Sequence, residues 1–202
     1  MKPRGDITAD EAPVHVMTVC SANVVRSVLA EHLLSDRLER LAPGAFRVSS
    51  SGLRATDGVA APPAVREIAE AYGVDVTAHR SRRTSDHDLT RVDTVLTAST
   101  RQRDEIVFRR PALLGRTFTI REFARAVSPS SARHDLGVRE RWRGMVRSAH
   151  ADRWRTVPPD AALDDIPDPV GRSGPDAFVE TERLVVSSLV SVLRALDSDV
   201  AR

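Results

Sequence analysis

Short apolar runs alternate with stretches of helical periodicity along the first half of the chain. The run from Val14 to Val19 predicts a buried strand, and apolar residues at helical spacing predict a helix from about Ser27 to Leu41. Phe46 to Ser50 predicts a second strand, Pro62 to Tyr72 a second helix, and Val74 to Thr77 a short extended segment. Strands that alternate with helices indicate an α/β domain with a parallel sheet.

The second half of the chain continues this alternation at first. Val92 to Ala98 predicts a central strand, and Ser99 with Gln102 forms a capping-box pattern that opens a helix ending near Arg110. A closing helix with one apolar face is expected from about Pro175 to Leu196.

Residues 128–165 fit the alternation poorly and are rich in Arg, Pro and Asp. We interpret them as a basic segment inserted as a long surface excursion, partly helical around Val138 to Ala149. The Arg-Trp patterns at 139–143 and 153–155 would suit stacking on nucleic acid. The simpler interpretation is a helix with arginines on one face and an apolar face formed by Trp142, Met145 and Val146.

Length and composition are typical of a single globular domain. With 202 residues, 41% hydrophobic and 29% charged, the chain is long enough for one globular domain, expected at residues 14–198. Residues 1–13 are charged, lack the apolar stretch of a signal peptide and are expected to be a disordered tail. No apolar run is as long as a membrane span. The net charge of +2 is too small to indicate a nucleic-acid partner.

Cysteine and histidine usage narrows the chemistry further. Cys20 is the only cysteine, which excludes an internal disulfide and a multi-cysteine metal site. A lone free cysteine fits a reducing compartment, so we expect a cytoplasmic protein. No cofactor or metal is expected, because metal-ligand spacing is missing from His15, His32, His87, His134 and His150.

The segment between the first strand and the first helix carries candidate chemistry. Cys20 ends the strand, and Arg26 follows six positions later as the helix begins. Such a loop points backbone N–H groups inward and lies at a positive helix terminus, so it can bind a phosphate dianion and favour a thiolate. Arg26 can clamp two phosphate oxygens. These features predict attack on phosphorus by Cys20 through a cysteinyl-phosphate. The alternative is a buried cysteine beside a helix-capping arginine.

The other loop residues fit the same interpretation. The Ser27 hydroxyl can donate a hydrogen bond to the thiolate, and the Asn23 side chain can hold the loop open by bonding its backbone. The expected phosphate-binding loop therefore consists of Ser21, Ala22, Asn23, Val24, Val25, Arg26 and Ser27.

The pattern Val19-Cys20-x-x-Asn23-x-x-Arg26-Ser27 resembles the phosphate loop of the low-molecular-weight protein tyrosine phosphatases, V-C-x-G-N-x-C-R-S. The resemblance covers roughly residues 14–107 and resumes near residue 166. It implies a three-layer sandwich with a four-stranded parallel sheet, and metal-free hydrolysis of phosphate monoesters, with protein phosphotyrosine as the expected substrate. Further family-like segments are Val48 to Gly52, Gly73 to Arg82 and Asp93 to Ala98.

The resemblance also implies roles for residues outside the loop. Ser50 matches the serine that supports the loop, and His79 matches a structural histidine bonded near it. The family places its general acid in an Asp-Pro motif before the last helix, which here is Asp168-Pro169. Protonating the leaving oxygen as its bond to phosphorus breaks makes its departure easier. Asp164 and Asp165 are the competing candidates, and a flexible acidic turn without a catalytic role is the other interpretation.

Three departures from the family pattern leave alternatives open. Ala22 stands in place of glycine, Val25 in place of a second cysteine, and Val170 in place of an aromatic residue that lines the pocket. Phosphotyrosine preference is therefore less secure than phosphatase chemistry. The partner is a phosphorylated protein or a small phosphate ester. A thiol-dependent arsenate reductase of related fold and a non-catalytic phosphate-binding relative are the alternative functions.

Overall fold

A four-stranded parallel sheet forms the centre of the computed structural model, which describes residues 12–127, 136–170 and 176–197. Its strands are β1 (Val14–Cys20), β2 (Phe46–Gly52), β3 (Thr94–Thr97) and β4 (Thr117–Thr119). They lie in the order β2-β1-β3-β4, and every pair is parallel. The predicted α/β class, with its four-stranded parallel sheet, is confirmed.

Seven α-helices lie in the described part of the chain. They are α1 (Arg26–Leu41), α2 (Pro63–Ala71), α3 (Asp86–Thr90), α4 (Thr100–Arg109), α5 (Ile120–Ala126), α6 (Val138–Ala151) and α7 (Asp176–Leu196). Residues 1–11 of the expected 1–13 tail lie outside the described residues, as do the first part of the 128–165 segment and the expected start of the last helix at Pro175. No helix in the described ranges is both long and apolar enough to cross a membrane.

The period of two along β1 sorts its side chains onto the two faces of the sheet. Val14 and Val16 belong to a large core with residues of α1, α2, α5, α6 and α7. Met17 and Val19 belong to a smaller core with residues that include Leu89 of α3 and Ile106 of α4. The sheet is therefore buried between two helical layers, the three-layer arrangement that was expected.

Local signals in the sequence explain several helix ends. The Ser99 hydroxyl accepts a hydrogen bond from the backbone N–H of Gln102 and caps α4. Thr119 and Glu122 form a reciprocal capping box at the start of α5. Gly73 follows α2 with φ of +73°, a backbone conformation that glycine adopts without strain.

The structure differs from what the sequence analysis located in three places. Residues 74–77, expected to be a short extended segment, add no strand to the sheet, and a turn begins at Thr77. Gln102 does not complete a capping box, since its side chain reaches Ser21. The fourth strand and α5 were not located from the sequence.

The 128–165 segment is also more than a surface excursion. Helix α6 forms where helix was expected, and its apolar face is part of the large core. Trp142 is fully buried, contacts the rings of Phe46 and Phe123, and donates a hydrogen bond from Nε1 to Thr94 Oγ1 at 3.0 Å. This tryptophan is therefore a core residue and has no free ring face for stacking on nucleic acid.

We predict that Trp142→Ala lowers the free energy of unfolding by about 3–5 kcal/mol, because it removes a large buried ring and leaves a cavity. Trp154→Ala is the matched control, since that ring is 73% exposed, and its effect should stay within about 0.5 kcal/mol. Urea denaturation followed by far-ultraviolet circular dichroism measures both. Equal effects of the two substitutions would contradict the placement of α6 in the core.

Candidate active site

The single cysteine lies at the carboxyl end of the central strand β1, at the base of the loop of residues 21–25. Cys20 is 2% exposed. Its Sγ atom lies 3.1 Å from Ser27 Oγ and accepts a hydrogen bond from the backbone N–H of Asn23 at 3.2 Å. Two hydrogen-bonding groups thus face the sulfur atom.

Asn23 organises the loop. It is fully buried, and its φ of +56° is the one positive value among non-glycine residues in the described ranges. Its Nδ2 donates to Ser27 Oγ at 3.0 Å and to Ser50 Oγ at 2.7 Å. Its Oδ1 accepts from the backbone N–H of Arg82, and its carbonyl oxygen accepts from His79 Nε2, both at 2.9 Å. Ser50 and His79 therefore contact the loop as expected.

Strand β2 ends directly beneath the loop. The backbone N–H of Leu53 donates to the carbonyl of Cys20 at 3.0 Å, and that of Arg54 donates to the carbonyl of Ser21 at 2.8 Å. A Cβ atom at Gly52 would lie 2.6 Å from the Ser21 carbonyl oxygen and 2.8 Å from the Asn23 nitrogen. Only glycine permits so close an approach.

Arg26, the first residue of α1, connects the loop to the segment before α7. Its side chain is almost completely buried and forms an ion pair with Asp168. Its Nη1 also donates to the Ile166 carbonyl at 3.1 Å, and the Ile166 N–H donates to the Ala98 carbonyl at 2.8 Å. Asp168 itself is 42% exposed, so its carboxyl group faces both Arg26 and solvent.

The two competing aspartates are engaged elsewhere. Asp164 is buried and forms an ion pair with Arg125 of α5. Asp165 accepts a hydrogen bond from the backbone N–H of Thr100 at 2.7 Å, at the start of α4. Both contacts fix the course of the chain that leads to Asp168.

Two residues at the site were missed by sequence reasoning. Gln102 is buried, and its Nε2 donates to Ser21 Oγ at 3.0 Å. Glu31, on α1, accepts a hydrogen bond from the Ser50 hydroxyl. The sequence pattern placed Gln102 in a helix-capping role with Ser99. Glu31 lies on a predicted helix, and nothing else in the sequence pointed to it.

The three departures from the family pattern have different structural consequences. Ala22 is exposed and is not among the positive-φ residues, so its backbone does not need glycine. Val25 is 2% exposed and belongs to the large core. Val170 is 59% exposed and follows Asp168 by two residues.

A second polar cluster lies behind the loop. Glu31, His32 and His79 each offer one metal-ligating atom, and these atoms lie within 4.8 Å of one another. Sequence analysis assigned no role to His32 because the spacing of the histidines along the chain shows no ligand pattern. His79 is brought to it by the fold.

Comparison with known proteins identifies the family of this chain. The family model for low molecular weight phosphotyrosine protein phosphatase matches residues 15–144. The chain belongs to this family. The match runs on through β4, α5 and the first half of α6, well past the residue 107 at which the resemblance was expected to pause.

Several relatives illustrate the membership. The chain is 30% identical over 139 residues to a probable low molecular weight protein-tyrosine-phosphatase, EpsP, of Ralstonia nicotianae, which covers 69% of this chain and 92% of the relative. The low molecular weight protein tyrosine phosphatase from T. tengcongensis superposes with a TM-score of 0.64 at 21% identity, covering 89% of this chain and 97% of that one.

A third relative carries a different substrate in its name. The YwlE arginine phosphatase from Geobacillus stearothermophilus superposes with a TM-score of 0.66 at 21% identity, covering 93% of this chain and 95% of that one. At these identities the two solved structures show the common fold.

We predict that Gly52→Ala weakens binding of inorganic phosphate about 10-fold or more, because the added Cβ must push the loop backbone away from β2. Gly137→Ala is the matched control, since an added Cβ there meets nothing within 4 Å. Isothermal titration calorimetry measures the affinity, and a thermal unfolding curve shows that each variant is folded. Unchanged phosphate affinity in folded Gly52→Ala protein would contradict the close approach described here.

Proposed function

We propose that this protein hydrolyses phosphate monoesters through a cysteinyl-phosphate intermediate, without a metal ion, and that protein phosphotyrosine is its substrate. The observation that carries the proposal is the position of Cys20 Sγ, within hydrogen-bond distance of Ser27 Oγ and the Asn23 N–H at the base of the loop. Membership of the phosphotyrosine protein phosphatase family supports the same chemistry.

In the first step, the thiolate of Cys20 attacks phosphorus. A sulfur–phosphorus bond forms, and the bond from phosphorus to the ester oxygen breaks. The backbone N–H groups of residues 21–26 and the Arg26 guanidinium bind the three other oxygens and stabilise their charge in the transition state. Asp168 donates its proton to the leaving oxygen, so that a neutral alcohol or phenol departs.

In the second step, a water molecule attacks the phosphorus of the intermediate. The Asp168 carboxylate takes a proton from this water, the phosphorus–sulfur bond breaks, and inorganic phosphate leaves. Cys20 returns to the thiolate, which accepts a hydrogen bond from Ser27. Atoms and charge balance over the two steps, and the enzyme ends as it began.

The ion pair between Arg26 and Asp168 links substrate binding to acid delivery. The Arg26 side chain is the cation for both the Asp168 carboxylate and the phosphate, so an arriving dianion competes with Asp168 for it. Release from Arg26 leaves Asp168, already partly exposed, free to turn toward the ester oxygen. In the acid form Asp168 carries no charge that would hold it to Arg26.

Asn23, Ser50 and His79 are positioning residues in this proposal. They contact no reacting atom except through the Asn23 N–H, and they hold the loop in the shape that binds phosphate. Gln102 adds support through Ser21. Loss of any one of these contacts should lower the turnover rate for all substrates, with little change in how that rate depends on the leaving group.

The exposed Val170 gives little indication of which phosphorylated side chain the protein binds. An aliphatic side chain there gives an aryl ring no aromatic partner. Because a structural relative is named an arginine phosphatase, phosphoarginine is the second substrate to test. The lone cysteine and the phosphoprotein substrate fit a cytoplasmic location.

We predict that Cys20→Ser abolishes hydrolysis of para-nitrophenyl phosphate, because it removes the nucleophile. Asp168→Asn should lower kcat about 10²- to 10⁴-fold, the range for loss of a general acid. Its KM should stay equal or fall, because the substrate dianion no longer competes with a carboxylate for Arg26. Steady-state kinetics from pH 5 to 8 in the presence of a chelator measures both.

Asp165→Asn is the matched control for Asp168. Its amide oxygen can still accept from the Thr100 N–H, so kcat should remain within about 3-fold of the wild-type value. Wild-type protein that binds phosphate without turnover would favour the non-catalytic alternative. Arsenate-dependent consumption of a small thiol would favour the arsenate reductase.

We predict that Val170→Phe lowers the KM for phosphotyrosine peptides about 2- to 10-fold, the worth of one aromatic pair. Val179→Phe, at a valine of α7 that is equally exposed, should change nothing. Peptides carrying phosphotyrosine, phosphoserine and phosphoarginine, assayed by phosphate release, give the comparison. An equal gain for phosphoserine would show that residue 170 does not contact the leaving group.

A further inference from the structure

Behind the phosphate loop, three side chains from α1 and the turn after α2 converge on one point. Glu31 Oε2 lies 3.8 Å from His32 Nε2 and 4.0 Å from His79 Nδ1. The two histidine rings meet edge to face, with their centres 5.8 Å apart. Each side chain thus points one nitrogen or oxygen atom toward the others.

The hydrogen bond of His79 fixes which of its nitrogens can bind a cation. Its Nε2 lies 2.9 Å from the Asn23 carbonyl oxygen, which can only accept, so Nε2 carries the proton. In the neutral ring Nδ1 then has a free lone pair, and this atom faces Glu31. Metal-binding histidines are oriented in the same way, with the second nitrogen donating to a carbonyl or carboxylate.

His32 supplies the second nitrogen. In the described part of the chain its ring makes no hydrogen bond, and its side chain is 26% exposed. Its Nε2 lies 3.8 Å from Glu31 Oε2, so one ring nitrogen already faces the carboxylate. Glu31 is also partly exposed, which leaves solvent access for a water molecule as a further ligand.

We propose that Glu31, His32 and His79 form a binding site for a divalent transition metal of the zinc type, distinct from the catalytic cysteine. Two imidazoles and one carboxylate, with a water in the fourth position, form a known tetrahedral zinc set. Ligand atoms about 2.1 Å from a tetrahedral zinc lie about 3.4 Å apart. The observed triangle therefore needs only to contract, and the exposed His32 and Glu31 side chains can move.

Two hydrogen-bonded chains connect this site to the phosphate loop. One runs from His79 to the Asn23 carbonyl. The other runs from Glu31 through the Ser50 hydroxyl to the Asn23 side chain. Contraction around a metal draws Glu31 Oε2 away from Ser50 and shifts His79, so metal binding should disturb the loop and lower turnover.

Zinc binding is tested first in untagged Cys20→Ser protein, which has no thiol to compete for the metal and needs no thiol reductant. We expect one equivalent of Zn²⁺ to bind in calorimetry, with an affinity in the micromolar range or tighter. Co²⁺ should give visible absorption bands typical of a tetrahedral site. His32→Ala in the same background should abolish both signals, whereas His150→Ala, a change at an exposed histidine elsewhere, should leave them intact.

Each result decides the assignment. Binding that survives His32→Ala, or binding seen only when Cys20 is present, would place the metal at another site and overturn the proposal. Absence of stoichiometric binding in Cys20→Ser protein would show that the three side chains form a hydrogen-bonding cluster alone.

The link to the loop is tested with otherwise wild-type protein. Saturating Zn²⁺ should lower kcat about 10-fold, which is the scale on which residues hydrogen-bonded to metal ligands affect activity. Chelation should reverse the loss, and His32→Ala protein, with its activity expressed relative to its own metal-free value, should show no response to zinc. Equal inhibition with and without His32 would overturn the link. The inhibition of turnover by zinc rests on the proposed phosphatase activity. Zinc binding to Cys20→Ser protein is independent of that activity.

Discussion

The left-handed backbone of Asn23 is the constraint on which the rest of the site depends. At φ of +56° the chain turns back on itself, which brings the Asn23 N–H to the sulfur of Cys20. A non-glycine residue holds this conformation only when its surroundings stabilise it. Here the side chain and carbonyl of Asn23 are bonded on every side, to α1, β2 and the segment around His79. Strands, helix and loop thus meet at one asparagine.

The end of strand β2 and the backbone of the loop are in close contact and hold each other in place. Gly52 lets β2 end against the loop backbone, and the two backbone hydrogen bonds that follow tie the next residues of the chain to Cys20 and Ser21. On the opposite side, Arg26 holds the segment that carries Asp168. The loop is therefore tied to the sheet through the end of β2, and to the segment before α7 through the ion pair of Arg26 with Asp168.

The parts of the fold with strong local patterns could be predicted from the sequence. β1, α1, β2 and α2 have long apolar runs or clear helical periodicity, and the Cys20 loop carries its chemistry within eight residues. β4 could not be located, because three residues with two threonines give no apolar run. The segment at 74–77 adds no strand to the sheet, since two valines in four residues are too weak a pattern to predict strand pairing.

The less predictable features all depend on contacts between distant residues. Gln102 reaches Ser21 across 81 residues, and Trp142 contacts Thr94 across 48. Glu31, His32 and His79 meet only because α1 and the turn after α2 pack together. Local patterns predict which elements form, but not which side chains meet where those elements cross.

The buried Val25 has a consequence for the sulfur chemistry of this protein. It fills a core position next to Arg26, where the family pattern has a second thiol. An oxidant that converts Cys20 to a sulfenic acid would find no cysteine in the chain with which to form a disulfide. Further oxidation to the sulfinic acid is irreversible for nearly all proteins. Recovery from oxidative damage would therefore depend on small thiols supplied from outside the protein.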